Sequence, residues 1–411
     1  MTDAFEALKN VSFLDYLKIR VGYGLSGNDA PPYRITPSYA QGGVFAGISF
    51  SDLTFPLANV TGYEYGNILG NPKLSPEISS DFETGIEMRF LKNRIGIDAT
   101  YYHKLTDGLI LQRVVASSSG YTGMFDNIGE ILNEGVELSV NLTPVRSDNL
   151  KWDVTYTFAK NNNKVLSLTE GLEEVFVSGF ASPQVVAMAG KTVSQLKGTG
   201  MQFTPDGRII VDPQTGRPLD SQAGEDLGST LPDYTMGLSS RLSYKGFEFS
   251  FLFDFRKGGQ FISWSKKSSI WSGKDPITTY NDRRPFVVPN SVYIDDNGDY
   301  VENTNPITKV DLNNYYSGNW NDKALVIDKT FLKLREVNLT YNIPPRFLTK
   351  TFIQSASISL IGNNLLLFTP VENNVVDPEL STTGNDAATE FGEIGGYPSV
   401  RSYGFRLNIN L

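Results

Sequence analysis

The last ten residues of this chain restrict its fold more than any other feature. Tyr403, Phe405, Leu407, Ile409 and Leu411 alternate with Ser402, Gly404, Arg406, Asn408 and Asn410. A period of two is a β-strand with one apolar and one polar face. Chain ends usually fray, so a strand that stays regular to its last residue is expected to be paired on both sides. Closure of a transmembrane β-barrel supplies that pairing, and there lipid-facing and lumen-facing residues alternate along every strand.

The pattern recurs. Phe82, Thr84, Ile86, Met88 and Phe90 alternate with Asp81, Glu83, Gly85, Glu87 and Arg89. Beyond the turn Lys92-Asn93, Ile95, Ile97, Ala99 and Tyr101 oppose Arg94, Gly96, Asp98 and Thr100. Val136, Leu138, Val140 and Leu142 form another row, as do Trp152, Val154, Tyr156 and Phe158, and Tyr234, Met236, Leu238, Leu242 and Tyr244. Phe247, Phe249, Phe251, Phe253 and Phe255 form the most apolar one. The runs are about 9–12 residues long, as a tilted strand needs to cross a hydrocarbon core, and about twice the mean strand of soluble proteins.

Alternation does not say which face is inside. A soluble β-rich binding protein would turn the apolar rows inward, and a passive porin-like or structural barrel would turn them out, as would any barrel in lipid. Three features favour a barrel in lipid: the strand length, aromatics near strand ends (Tyr101-Tyr102, Trp152, Tyr244, Tyr403) that form an interfacial girdle, and lopsided connections. The turns at Leu91-Lys92-Asn93 and Lys245-Gly246 are short, whereas the stretches at about 30–75, 161–230 and 257–330 are long loops. The fold expected is all-β, an antiparallel transmembrane β-barrel occupying 1–411 with about 10–12 strands. A bulge near Arg335-Glu336 is expected, because Leu332 and Leu334 are out of phase with Val337, Leu339 and Tyr341.

Composition removes other classes. There is no cysteine, hence no disulfide framework, thiolate metal site or thiol nucleophile, and a single histidine, His103. The net charge of −9 argues against nucleic acid as a partner. No apolar run of helical length crosses a membrane. Residues 1–11 lack the pattern of an export signal, which leads to the expectation of a fragment.

Taken in order, these segments resemble the C-terminal part of a SusC/RagA-type TonB-dependent outer-membrane transporter of Bacteroidota. The resemblance rests on LKIRVGYGLSGND at 17–29, NPKLSPEISSDFETGIEMRFLKNRIGIDATYYHKLTDGLI at 71–110, NIGEILNEGVELSVNL at 127–142, LPDYTMGLSSRLSYKGFEFSFLFDFRKGG at 231–259, FLKLREVNLTYNIP at 331–344, SLIGNNLLLFTP at 359–370 and GYPSVRSYGFRLNINL at 396–411. It implies a barrel of about 22 strands with a plugged lumen, of which this chain would be the second part, without plug or signal peptide. Alone it would carry two open edges and is expected to need its missing half. The resemblance further implies nutrient import (a glycan oligomer or peptide) in the outer membrane of a Gram-negative bacterium. The implied partners are a SusD-like surface lipoprotein and, through the missing N-terminal part, the TonB complex. No cofactor and no reaction chemistry are implied. One departure is the last residue, Leu411, where many such barrels end in an aromatic.

Two other clusters have simpler readings. His103 near Asp98 and Asp107 could suggest acid–base work, but position 103 continues the apolar register of its strand. Asp295-Asp296-Asn297-Gly298-Asp299 lacks the spacing of a calcium loop and suits a hairpin turn. The candidate ligand contacts are therefore aromatics of the 257–330 loop: Trp264, Trp271, Tyr280, Tyr315, Tyr316 and Trp320. A flat ring stacks on a sugar or peptide; the alternative for these rings is packing of the loop onto the rim or against a protein partner.

Overall fold

Ten strands hydrogen-bond into one sheet in their order along the chain. They are β1 (Leu14–Asn28), β2 (Glu77–Phe90), β3 (Ile95–Asp107), β4 (Gly129–Arg146), β5 (Leu150–Leu168), β6 (Tyr234–Tyr244), β7 (Phe247–Lys257), β8 (Phe331–Asn342), β9 (Ser355–Phe368) and β10 (Ser402–Asn410). All nine pairings are antiparallel. The computed structural model describes residues 13–36, 39–41, 59–169, 171–221, 224–308, 315–316, 321–373, 375–386 and 389–411.

In such a meander, successive connections lie at opposite ends of the sheet. The connections 91–94, 147–149, 245–246 and 343–354 share one end, and 29–76, 108–128, 169–233, 258–330 and 369–401 share the other. The lopsidedness expected from sequence is thus a property of the whole sheet. The third long connection starts after Leu168, later than expected, because Asn161, Asn162 and Asn163 still pair with Gly135, Glu134 and Asn133 despite their polarity.

Register brings the apolar rows together. Leu242, Phe249 and Leu339 lie side by side, as do Leu238, Phe253 and Leu334. The second row depends on one irregularity. Glu336 pairs with Leu252 and Leu334 with Phe253, so Arg335 is the extra residue of a bulge. Without it Leu332 and Leu334 would turn to the polar face. Aromatics collect on the apolar face near the short-turn end, where the rings of Phe247 and Tyr341 lie 4.5 Å apart and the Trp152 indole donates to the Ser240 hydroxyl at 2.9 Å. Of the pair Tyr101-Tyr102, Tyr101 joins the apolar face, while Tyr102 stands on the polar face opposite Gly135.

The last strand departs from the expectation of two neighbours. Among the described residues β10 pairs with β9 alone and β1 with β2 alone, so the sheet ends in two edges. The strand stays regular because one complete ladder spans it, from Ser355–Asn410 to Asn363–Ser402.

The long connections are folded well beyond the small hairpins at Gly207–Asp212 and Asp295–Asp299 that the sequence suggests. Four short strands (Glu174–Gly179, Gln184–Met188, Gln195–Gly198 and Glu225–Ser229) form one small sheet. Gln260–Ser263 forms the middle of another, between Val326–Asp328 and Gly392–Glu393. Helix α1 (Trp264–Trp271) follows, capped by the Ser263 side chain, which accepts the Lys266 N–H. Val185, Leu196, Val211, Ile262, Ile270, Ile307 and Leu325 meet in one buried core drawn from two of the connections, with Phe391 added from a third. Each such side chain contributes about 1.5–3 kcal/mol by leaving water.

Replacing Ile262, which is wholly buried, with alanine is expected to destabilise this cap by about 2–5 kcal/mol. Amide exchange should rise across 174–198 and 258–294 and stay low in β5 to β9. Uniform loss of protection in both regions would refute a separate cap core.

Candidate functional site

The strand period places one side chain in two on the polar face, and register assembles these into a wall. Its charges are matched along strands, Arg89 with Glu87 and Lys151 with Asp153, and across them, Arg241 with Glu248 and Arg335 with Asp254. Hydroxyls fill the space between them. One groove of about 310 Å³ is lined by Asp153, Thr155, Ser239, Arg241, Ser250 and Glu336. Another of about 480 Å³ is lined by Asp98, Thr100, Glu137, Ser139, Thr157 and Thr235.

Two glycines let side chains reach past a neighbouring strand. Arg20 on β1 lies over Gly85 of β2 and bonds Asp98 on β3 at 2.8 and 3.1 Å and Thr100 at 3.1 Å. A Cβ at position 85 would stand 2.8 Å from the guanidinium. Tyr102 on β3 crosses Gly135 of β4 in the same way, and its hydroxyl donates to Asn161 on β5 at 3.1 Å. The polar face is a cross-braced, nearly charge-balanced surface suited to water and polar solutes rather than to packing.

At the long-loop end the wall meets an acidic segment from the 369–401 connection. The Lys333 ammonium holds both oxygens of Asp377 at 2.7 Å and also Glu379, while Arg335 bridges Glu379 and Asp254. Lys333 and Asp377 are buried. Lys329, 1% exposed, pairs with Glu390, which Arg256 also approaches. Burial pushes the Lys329 ammonium down, Arg256 adds to this, and Glu390 opposes it. Glu393, 0% exposed, accepts from the Ser263 hydroxyl, the Ser265 N–H at 3.1 Å and the Ser265 hydroxyl at 2.7 Å, at the start of α1. Sequence reasoning missed this seat. Its only local trace is the pair Lys333 and Arg335 around the expected bulge; the carboxylates lie 44 residues away.

The loop aromatics divide. Trp264 packs edge-on against Phe180 and Phe391, at 5.6 and 6.4 Å. Tyr280, Phe286, Tyr315 and Tyr316 form a ladder with centroid spacings of 4.8, 5.5 and 4.9 Å. Burial pushes the Tyr315 hydroxyl up to about 12, with Tyr316 and Tyr280 adding to it. Trp271 is 65% exposed and Tyr280 about half exposed. Trp320 lies outside the described residues. His103 stands on the apolar face and Asp98 on the polar one, so the strand separates them. Asp295 accepts the N–H groups of Asn297 and Asp299, both at 2.9 Å, closing a hairpin between Ser291–Ile294 and Tyr300–Glu302.

Burial raises the carboxyls of Asp377 and Glu379, but bonds from Lys333, and for Glu379 from Arg335, outweigh it, so both lie below their ordinary 3.8 and 4.5. Their contribution is therefore complete at neutral pH and is lost as pH falls below that range, through the folded values. Amide exchange across 375–393 should accelerate there before the strands open; pH-independent exchange would refute the assignment.

The family profile "TonB dependent receptor-like, beta-barrel" matches residues 9–334. TonB-dependent receptor P26 of Formosa agariphila is 26% identical over 98% of this chain and 40% of its own length. TonB-dependent receptor SusC of Bacteroides thetaiotaomicron is 26% identical over 59% of this chain and 25% of its own. Among solved structures, the RagAB peptide transporter superposes with a TM-score of 0.70 at 19% identity, covering 99% of this chain and 42% of that one. The chain thus spans about 40% of the length of the Formosa agariphila relative.

Proposed function

Because this chain belongs to the TonB-dependent receptor β-barrel family, we propose that it serves as the C-terminal wall and surface cap of an outer-membrane nutrient importer in a Gram-negative bacterium. The observation that carries the reading is the ten-stranded sheet with one apolar face, one cross-braced polar face and every long connection at one end. In a barrel the apolar face meets lipid and the polar face lines the lumen. The folded end faces the medium, as long loops do in such barrels. The solute is a glycan oligomer or a peptide, the latter in line with the RagAB peptide transporter. A SusD-like surface lipoprotein covers the mouth, and the TonB complex acts through sequence N-terminal to this part. The connections at about 30–75, 169–230 and 258–330 face the medium. Trp271 and Tyr280 have exposed ring surface to offer a solute, Trp264, Tyr315 and Tyr316 support that surface, and Trp320 is kept as a further candidate contact by its residue type alone.

Orientation is tested by a pair of neighbours on β7. Phe251→Arg places a charge in lipid and should cost about 2–4 kcal/mol in urea unfolding from vesicles, while Ser250→Arg should be nearly neutral. The reverse order would invert the faces. Function is tested by deleting the gene in its host and following growth on single glycans and peptides. Loss of uptake on one of them, reproduced by removing TonB, supports energised import. Uptake lost with the gene but kept without TonB would point to a passive barrel instead.

A further inference from the structure

Resting on the reading of the polar face as lumen, we propose that the β9–β10 connection is a restriction strap. It is folded inward onto the β7–β8 wall and held by its carboxylates, where it sets how large a solute passes that part of the mouth.

The placement follows from register. Asp254 is on the polar row of β7 with Glu248 and Ser250, and Lys333 lies opposite Asp254 on β8. A residue that bonds Lys333 and shares Arg335 with Asp254 is on the lumen side of the wall. Glu379 does both and Asp377 the first, although their segment starts from the top of β9 and returns to the top of β10. The chain thus folds across the polar face at the rim rather than out into the medium.

The attachment is one-signed at its ionic points. The strap contributes Asp377, Glu379 and Glu390; the seat contributes Lys333, Arg335, Lys329 and Arg256. Glu393 instead binds at the hydroxyls and N–H that open α1. Beside it Ile262 and Ser263 pair with Gly392 and Glu393 as a short parallel ladder. Buried apolar side chains on it are Pro378, between Asp377 and Glu379, and Phe391, which joins the cap core. The stretch around Asp377 and Glu379 is held chiefly by ion pairs and can leave its place without unfolding the core that holds Phe391, whereas removing one partner of a buried pair leaves the other charge uncompensated. The bulge at Arg335 has a second consequence: it adds a cation beside Lys333 at the height of the strap, where regular pairing would turn position 335 to lipid.

These 411 residues hold no cysteine; with any cysteine elsewhere in the receptor replaced by serine, Ser250→Cys reports access to the lumen face below the seat. The receptor is expressed from its whole gene in its own outer membrane. Two probes are applied from outside: a small charged methanethiosulfonate and a maleimide carrying a polyethylene glycol chain. The small probe should label the introduced thiol in every variant. The large one should label slowly with the seat intact, and about tenfold faster or more when Lys333→Gln and Arg335→Gln neutralise it. The exchange Lys333→Asp with Asp377→Lys should restore slow labelling, which general unfolding would not. Equal rates with the large probe in intact and neutralised seats, or no restoration by the exchange, overturn the strap. Failure of the small probe with Ser250→Cys, while Asn297→Cys in the cap reacts, overturns the lumen reading itself.

Discussion

A backbone that crosses lipid can satisfy its N–H and C=O groups only within a helix or against neighbouring strands. In this chain that requirement is met sideways, through nine successive antiparallel ladders. Once the ladders form, pleating decides everything on the two faces. Each strand offers lipid one side chain in two and water the other, so a register slip of one residue would exchange them. Arg335 shows how closely this is controlled. One inserted residue keeps Leu332 and Leu334 in line with Phe255 and Phe253 and turns the spare cation to the polar side.

The polar face is organised by charge matching rather than by burial. Arg20 and Tyr102 each brace three strands by crossing a glycine, and Asp98, Glu248 and Asp254 each have a cation across a strand while Glu87 and Asp153 have one two residues along. Such exposed pairs add little stability singly; their effect is a surface without a strong field of one sign. At the upper rim the same chemistry is buried, and there it fastens a connection to the wall.

Much of this was legible in the sequence because it is local. The strands, their faces, the bulge at Arg335, the turn at Asp295 and the two classes of connection follow from period-two alternation and turn chemistry over a few residues. The family resemblance, drawn from strand motifs in order, agrees with the profile match across residues 9–334. The interior of the long connections was not legible. Ile262, Leu196 and Val185 lie in short strands without enough alternation to separate them from loop, and they meet only by convergence of distant segments. The aromatic set likewise reads as one group in sequence, yet Trp264 is packed and Trp271 exposed.

The sequence by itself determined that this is an all-β chain of long amphipathic strands with its irregular length gathered at one end, since alternation and turn residues act within a strand. Only the tertiary structure decided which carboxylates neutralise Lys333 and Arg335, which connections share a core, and that 369–401 folds back onto the polar face. Those outcomes depend on partners tens to hundreds of residues apart, such as Ser263 and Glu393. No local pattern encodes them, because a charge or an apolar side chain in a loop carries no record of what the ladders will bring beside it.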